Sequence, residues 1–173
     1  YAVGADAKTI AAAINTAASN IGITATATNS ATLGNLASAG TLSMTLNGSS
    51  VSAVVTDKSD LSSFAAAING LQSTTGVTAS FATPGDKSVI TLSTTDGRDI
   101  TVVDFNNTGA TKTADIVAGT TTTTLTGGAA TDSTTITGTI ELASSAGQIT
   151  AGNGNADVFG TSVSAFSSVA TLD

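Results

Sequence analysis

The segment Ala11 to Asn15 reads Ala-Ala-Ala-Ile-Asn, and the same five residues return at Ala65 to Asn69, 54 positions further on. After six intervening residues each copy continues Gly-[Ile/Val]-Thr-Ala-[Thr/Ser], as Gly22 to Thr26 and as Gly76 to Ser80. A repeated unit constrains a fold more than any single residue, because each copy must bury the same face in the same way. Each copy reads as a short helix returning into a strand.

The second copy is complete: it runs on through Ile90 to Thr101 as two alternating strands around the turn Asp96-Gly97. Nothing comparable follows Gly22 to Thr28 directly. Ile140 to Thr150, far downstream, has the same shape with one residue fewer. One unit is therefore expected to sit inside the other. The expected partition is a discontinuous outer domain of residues 1–36 and 131–173, carrying an inserted inner domain of residues 37–130. Each would be of a size that folds alone.

Local patterns fill in the units. Asp6 is placed to cap a helix in which Ala7, Ile10, Ile14 and Ala17 or Ala18 recur at steps of three and four. Ile23, Ala25 and Ala27 then alternate with threonines as a half-buried strand. In the inner unit, Leu42, Met44 and Leu46 lead through Asn47-Gly48 to Val51, Ala53 and Val55, a hairpin signal, since both turn residues tolerate positive φ. Asp60 or Ser59 can cap a helix with the stripe Leu61, Phe64, Ile68 and Leu71. Strands follow near Val77–Ala82, Ser88–Ser93 and Asp99–Phe105, separated by Pro84-Gly85-Asp86 and Asp96-Gly97. The order β-β-α-β-β-β predicts an α+β, mostly β fold with a short helix packed on each twisted sheet. Ala110 to Thr135 shows no periodic core face and reads as an edge strand plus the return linker. The end of the chain reads as strands at Ile136–Leu142 and Gln148–Thr150, then a Gly-rich loop and a region containing Val158, Phe159, Val163, Phe166, Val169 and Leu172.

Composition narrows function. There is no Cys, His or Trp, which removes disulfides, thiolate and imidazole chemistry and nearly every transition-metal site. A formal charge of −7, with only five basic residues, would be repelled by nucleic acid and by anionic membranes. No apolar run is long enough to span a bilayer, and no signal-peptide pattern opens the chain. The chain reads as part of something longer, with any export signal outside it.

The inner copy resembles the flagellin hook IN motif over about Gly40 to Phe105. The match lies in Ser59-Asp60-Leu61, Phe64 to Asn69, Thr75 to Ser80, and Val89 to Thr94 before Asp96-Gly97. Tyr1 to Ile14 is similar to the exit from the N-terminal helical part of flagellins, and Ser167 to Asp173 to the segment before their C-terminal helix. The resemblance implies the variable, outward-facing D2 and D3 domains of a flagellar filament subunit, a secreted, extracellular structural protein used for motility. Its partners would be other flagellin subunits in a helical filament, joined through terminal helices that this chain lacks, with the isolated fragment monomeric. The same motif occurs in filament-capping and hook-associated proteins, and an adhesin-like binding module is the other alternative.

No enzyme mechanism, cofactor or metal site is legible. Asp96, Asp99 and Asp104 are too dispersed for a Ca²⁺ cage, with Asp99 and Asp104 expected on opposite faces of one strand. Gly152-Asn153-Gly154 has no helix or Lys to make a phosphate cradle. Arg98 and Glu141 read as single solvated charges. Asn47 and Asn106 fit the N-glycosylation triplet, a pattern that chance alone supplies in so Ser- and Thr-rich a chain. O-glycosylation is the stronger family-derived expectation, with Thr120, Thr121, Thr122, Thr123, Thr124, Ser133, Thr134 and Thr135 as candidates.

Overall fold

The computed structural model describes residues 4–145. In chain order it contains α1 (Ala7–Ala17), β1 (Ile23–Gly34), β2 (Gly40–Leu46), β3 (Ser49–Val55), α2 (Ser62–Gly70) and α3 (Gln72–Thr75). Then come β4 (Thr78–Thr83), β5 (Asp86–Thr94), β6 (Ile100–Asn107), β7 (Thr113–Ala118), β8 (Thr121–Thr126), β9 (Thr134–Ile136) and β10 (Thr139–Ser144). The fold is α+β and mostly β. The expected strand at Gln148–Thr150, the Gly152-Asn153-Gly154 loop and both chain ends lie outside the described residues.

The repeat is physical as well as textual. In each copy the terminal Asn of the motif reaches from its helix to the strand ten residues on and clamps both polar groups of one alanine. The Asn15 amide donates to the Ala25 carbonyl at 2.8 Å and accepts from the Ala25 N–H at 2.7 Å. The Asn69 amide makes the same pair with Ala79 at 2.9 and 2.8 Å. Gly22 and Gly76, which open the strands, both take φ +72°, a left-handed turn that a side chain would strain.

The inner strand run is distributed over two antiparallel sheets. One has the order β3-β2-β6-β9, the other β4-β5-β1-β7-β8. Between them lies the main core, in which Leu33, Leu42, Leu46, Phe64, Ile68, Ile90, Leu92 and Phe105 are fully buried. Helix α2 packs against β3 and β4 and sends Phe64, Ala65 and Ile68 into this core. Asp60 does not occupy the cap position itself; its carboxylate accepts the Ser62 N–H at 2.9 Å one residue outside the helix. In α1, by contrast, Asp6 is the N-cap and accepts from the Thr9 N–H at 2.9 Å.

Strand β1 is longer than its readable alternation. Residues Ile23–Thr28 pair with Ser144–Thr139 of β10, while Asn29–Leu33 pair with β5 and Thr32–Gly34 with β7. Its inward face runs Ala25, Ala27, Asn29, Ala31, Leu33 without a break. The first two alanines join Ala7 and Ala11 of α1 in a second, smaller core flanked by Ile14, Ile140 and Leu142. The strand network thus crosses position 36 through β1 and crosses 130 through β9, where Ile136 pairs with Ile100 of β6.

The stretch expected to be one edge strand and a linker folds as the hairpin β7–β8, paired from Thr113↔Thr126 to Ala118↔Thr121. The signal was weak because only Ala114, Ile116 and Leu125 turn fully inward, while threonine hydroxyls occupy the rest.

Candidate functional site

On the inward face of the β7–β8 hairpin, apolar side chains give way to hydroxyls. Two-residue periodicity puts Thr121 and Thr123 on the face of Leu125, opposite Ala118 and Ile116 in register. With Asn29, Ser30, Thr134, Thr135 and Thr139 they line a cleft of about 520 Å³. The fold therefore brings members of two clusters that lie apart in sequence around one cleft, Thr121 and Thr123 with Thr134 and Thr135, while Thr120, Thr122, Thr124 and Ser133 do not line it.

The hydroxyls differ in how far they are engaged. Thr124 donates to Asp115 at 2.6 Å, and Asn35 holds the other oxygen of that carboxylate at 2.7 Å. Both bonds hold the Asp115 carboxyl below its ordinary range, the Thr124 bond first. Ser133 donates to Asp132 at 2.7 Å and accepts the Asp104 N–H at 3.1 Å. Thr120, Thr121 and Thr122 are exposed, and their hydroxyls bond to no described residue. Thr123, Thr134 and Thr135 are likewise unengaged, Thr135 exposed and the other two half-buried. Among the described residues, no charged side chain lines the cleft. The cleft can hydrogen-bond neutral polar groups, and its rim can receive a group transferred by another protein.

Of the two N-glycosylation triplets, Asn47 sits in the β2–β3 turn at φ +46°, followed by Gly48 at φ +82°. Its amide nitrogen donates to the carbonyls of Thr75 and Asp99, both at 3.0 Å, and its oxygen accepts the Thr101 N–H at 2.7 Å. That amide is a structural tie. Asn106 is exposed; its oxygen accepts the Asn107 N–H at 2.9 Å, and its amide nitrogen bonds to no described residue.

Arg98, expected as a single solvated charge, lies in the β5–β6 loop and is instead paired, organising the contact between the two cores. Its guanidinium forks onto Asp96, with Nη2 at 2.7 Å and Nε at 3.0 and 3.1 Å. Lys8 of α1 reaches the same carboxylate at 2.9 Å. The Asp96 carboxyl is held far below its ordinary range, chiefly by the Arg98 hydrogen bonds, with Lys8 adding to them, and Arg98 is raised in turn. A Cβ on Gly76 would stand 2.6 Å from the guanidinium carbon, and one on Gly97 2.3 Å from the Ala27 Cβ. Close by, the buried Asn29 amide donates to the carbonyls of Arg98 at 3.0 Å and Ile136 at 2.7 Å. These contacts join residues far apart in sequence, and only the adjacent Asp96-Gly97-Arg98 hinted at them.

The fold does not bring Asp96, Asp99 and Asp104 together, and no group of three or more His, Cys, Asp or Glu among the described residues could hold a metal ion. Asp99 and Asp104 do not lie on opposite faces of one strand, as counting by twos predicts. Asp99 precedes β6, and Asp104, at φ +55°, sits where the β2–β6 register shifts. Such a bulge resets the alternation, so that Ile100 and Val102 before it and Phe105 and Asn107 after it all point inward. No described helix is long and apolar enough to cross a membrane. A scan against protein-family models matches none, and no curated protein is significantly similar to the chain.

Proposed function

We propose that these are surface-exposed structural domains of a flagellar filament subunit, projecting from the filament's helical part and forming its outer shell. The observation that carries this reading is the six-residue pairing of β1 with β10, which starts at Ile23↔Ser144 and is extended by the Ser145 N–H to the Gly22 carbonyl at 2.9 Å. The first and last described strands are therefore neighbours in one sheet, and both flanks of the described chain build the same subdomain. A module closed on itself in this way can be carried as an insertion in a longer chain. The resemblance of Ser59 to Gly97 to the flagellin hook IN motif supports the same reading. So does the hydroxyl- and amide-rich surface, which hydrates well without a strong field.

In this role the domains catalyse nothing. They set the hydration, antigenicity and lateral contacts of an extracellular polymer, where small contacts are multiplied by helical repetition. The exposed Thr120–Thr122 are the preferred acceptors for O-linked sugar, because their hydroxyls are not engaged in the fold.

The test joins residues 1–173 between the helical ends of a flagellin. Filaments should assemble, be decorated along their length by antibody raised against the segment, and support swimming. Assembly with no antibody access, or failure to assemble where a glycine–serine insert of equal length succeeds, would overturn the reading. Material from the native host whose intact mass equals the sequence mass would remove the sugar.

A further inference from the structure

Strand β1 has β5 on one edge and β7 on the other, and β10 shares an edge with one of them. Thr139 of β10 stands opposite Thr28, and Thr94 of β5 opposite Asn29. On a single edge these two residues would be about 3.4 Å apart, closer than bonded Cα neighbours, so β10 lies on the β7 edge. In an extended strand, successive residues turn their N–H and C=O to opposite edges. Ala25 gives both groups to Asn15. The odd residues therefore face away from β10 and the even ones face it, as the Gly22 carbonyl does in accepting from Ser145. Thr28 meets β10 and Thr32 meets β7, while Ser30, the even residue between them, has neither strand opposite it. One rung of the six-stranded sheet is thus vacant, and it opens into the cleft of about 520 Å³ that Ser30 helps to line.

We propose that this cleft binds a neutral saccharide, with two neighbouring ring hydroxyls filling the vacant rung. The Ser30 N–H and C=O lie side by side on the strand edge, so one hydroxyl accepts from the N–H while the next donates to the carbonyl. The remaining sugar hydroxyls meet Thr121, Thr123, Thr134 and Thr135, none of which bonds through its hydroxyl to a described residue. The apolar C–H face of the ring finds a wall in Ile116, Ala118 and Ile136. The volume is that of a small-molecule site. A charged ligand is disfavoured, because no charged side chain among the described residues lines the cleft to pair with it. A polypeptide is disfavoured by length. Only residues 29 to 31 separate the two ladders, fewer than an ordinary added strand of about five residues, and β10 and β7 block both ends.

The test titrates the full 173-residue chain, labelled with ¹⁵N, with the methyl glycosides of glucose, galactose and mannose. Glucuronate serves as the charged control and N-acetylalanine methylamide as the peptide control. At least one methyl glycoside should bind with a Kd of about 1–10 mM, shifting the amide signals of Ser30, Gly119, Thr121 and Thr135. Both controls should bind at least roughly tenfold more weakly. Ser30→Pro removes the rung's donor without taking a bond from the β5 ladder, and should weaken binding about five- to tenfold. Should that variant fail to fold, Thr123→Val, which deletes one wall hydroxyl, and Ala118→Leu, which narrows the cleft, carry the same expectation. The proposal is overturned if no glycoside shifts these signals below about 50 mM, if either control binds as well as the best sugar, or if folded variants bind like the parent.

Discussion

Replacing Asn69 by alanine removes the clamp on Ala79 and tests whether the repeated asparagine is kept for that purpose. Strand β4 is an edge strand, so the Ala79 groups facing away from β5 have no other protein partner. Two neutral hydrogen bonds of about 1 kcal/mol each are lost, and the better helix propensity of alanine returns about 0.5 kcal/mol. The net destabilisation is about 1.5 kcal/mol, or roughly 3–6 °C in melting temperature for a chain of this size. Asn69→Asp is the sharper test. Its carboxylate can still accept the Ala79 N–H, but it faces the Ala79 carbonyl with no proton to offer. The protonated acid restores that donor, so the folded-state pKa of the new group is raised. Its contribution to stability is present at low pH and lost as pH rises through that pKa. Urea melts of the parent, Asn69→Ala and Asn69→Asp at pH 7 and pH 4 distinguish these outcomes. The reasoning is refuted if Asn69→Ala is neutral, or if Asn69→Asp weakens on acidification in parallel with the parent.

Asn15→Ala should cost a similar amount, but accelerated hydrogen exchange should be confined to α1, β10 and residues 23–28 of β1, as read by mass spectrometry. For the parent, Asp6, Asp96 and Asp115 all have lowered pKa values, from hydrogen bonds to Thr9, Arg98 and Thr124 respectively. Their stabilisation is complete above the unfolded value of 3.8 and is lost as pH falls through the folded values, so urea midpoints should decline only under acid and stay level between pH 5 and 8, where no His titrates. Asp96→Asn should remove about 1 kcal/mol at low salt and less at high salt, since the Lys8 and Arg98 pairs are partly solvated. Phe64→Ala in the closed core should cost about 3–5 kcal/mol by thermal melt, well beyond the cost of Ile10→Ala. Gly97→Ala should be far worse than Gly85→Ala: both glycines have positive φ, but only the former would drive a Cβ into Ala27.

How much of this was readable depends on whether a feature is local. The Asn47-Gly48 hairpin, the α2 stripe of Phe64 and Ile68, and the Ala25–Ala27 alternation are set by neighbours within a few residues, and period and turn chemistry expose them. The exact repetition of Asn15 and Asn69 was visible, but its reason was not, because a side chain bonding a strand backbone ten residues away leaves no periodic trace. The continuation of β1 past Thr28 was hidden by Asn29, a polar residue at an inward position that is satisfied only by carbonyls at 98 and 136. The bulge at Asp104 defeated counting by twos. In β8 the five consecutive threonines carry hydroxyls where an apolar face would announce a strand. The cleft was likewise unreadable, because it exists only where residues near 29, 121 and 134 meet.

The antiparallel ladder of β1 and β10 has a mechanical corollary. Helix α1 stands between the start of the described chain and β1, and it begins beside the foot of β10, since a Cβ on Gly138 would stand 2.9 Å from that of Ala7. The described chain ends at the other end of the ladder, past the Ile23↔Ser144 pair. Tension between these two ends therefore runs along the strands and loads the rungs together rather than peeling them one at a time, so the subdomain resists stretching better than splaying.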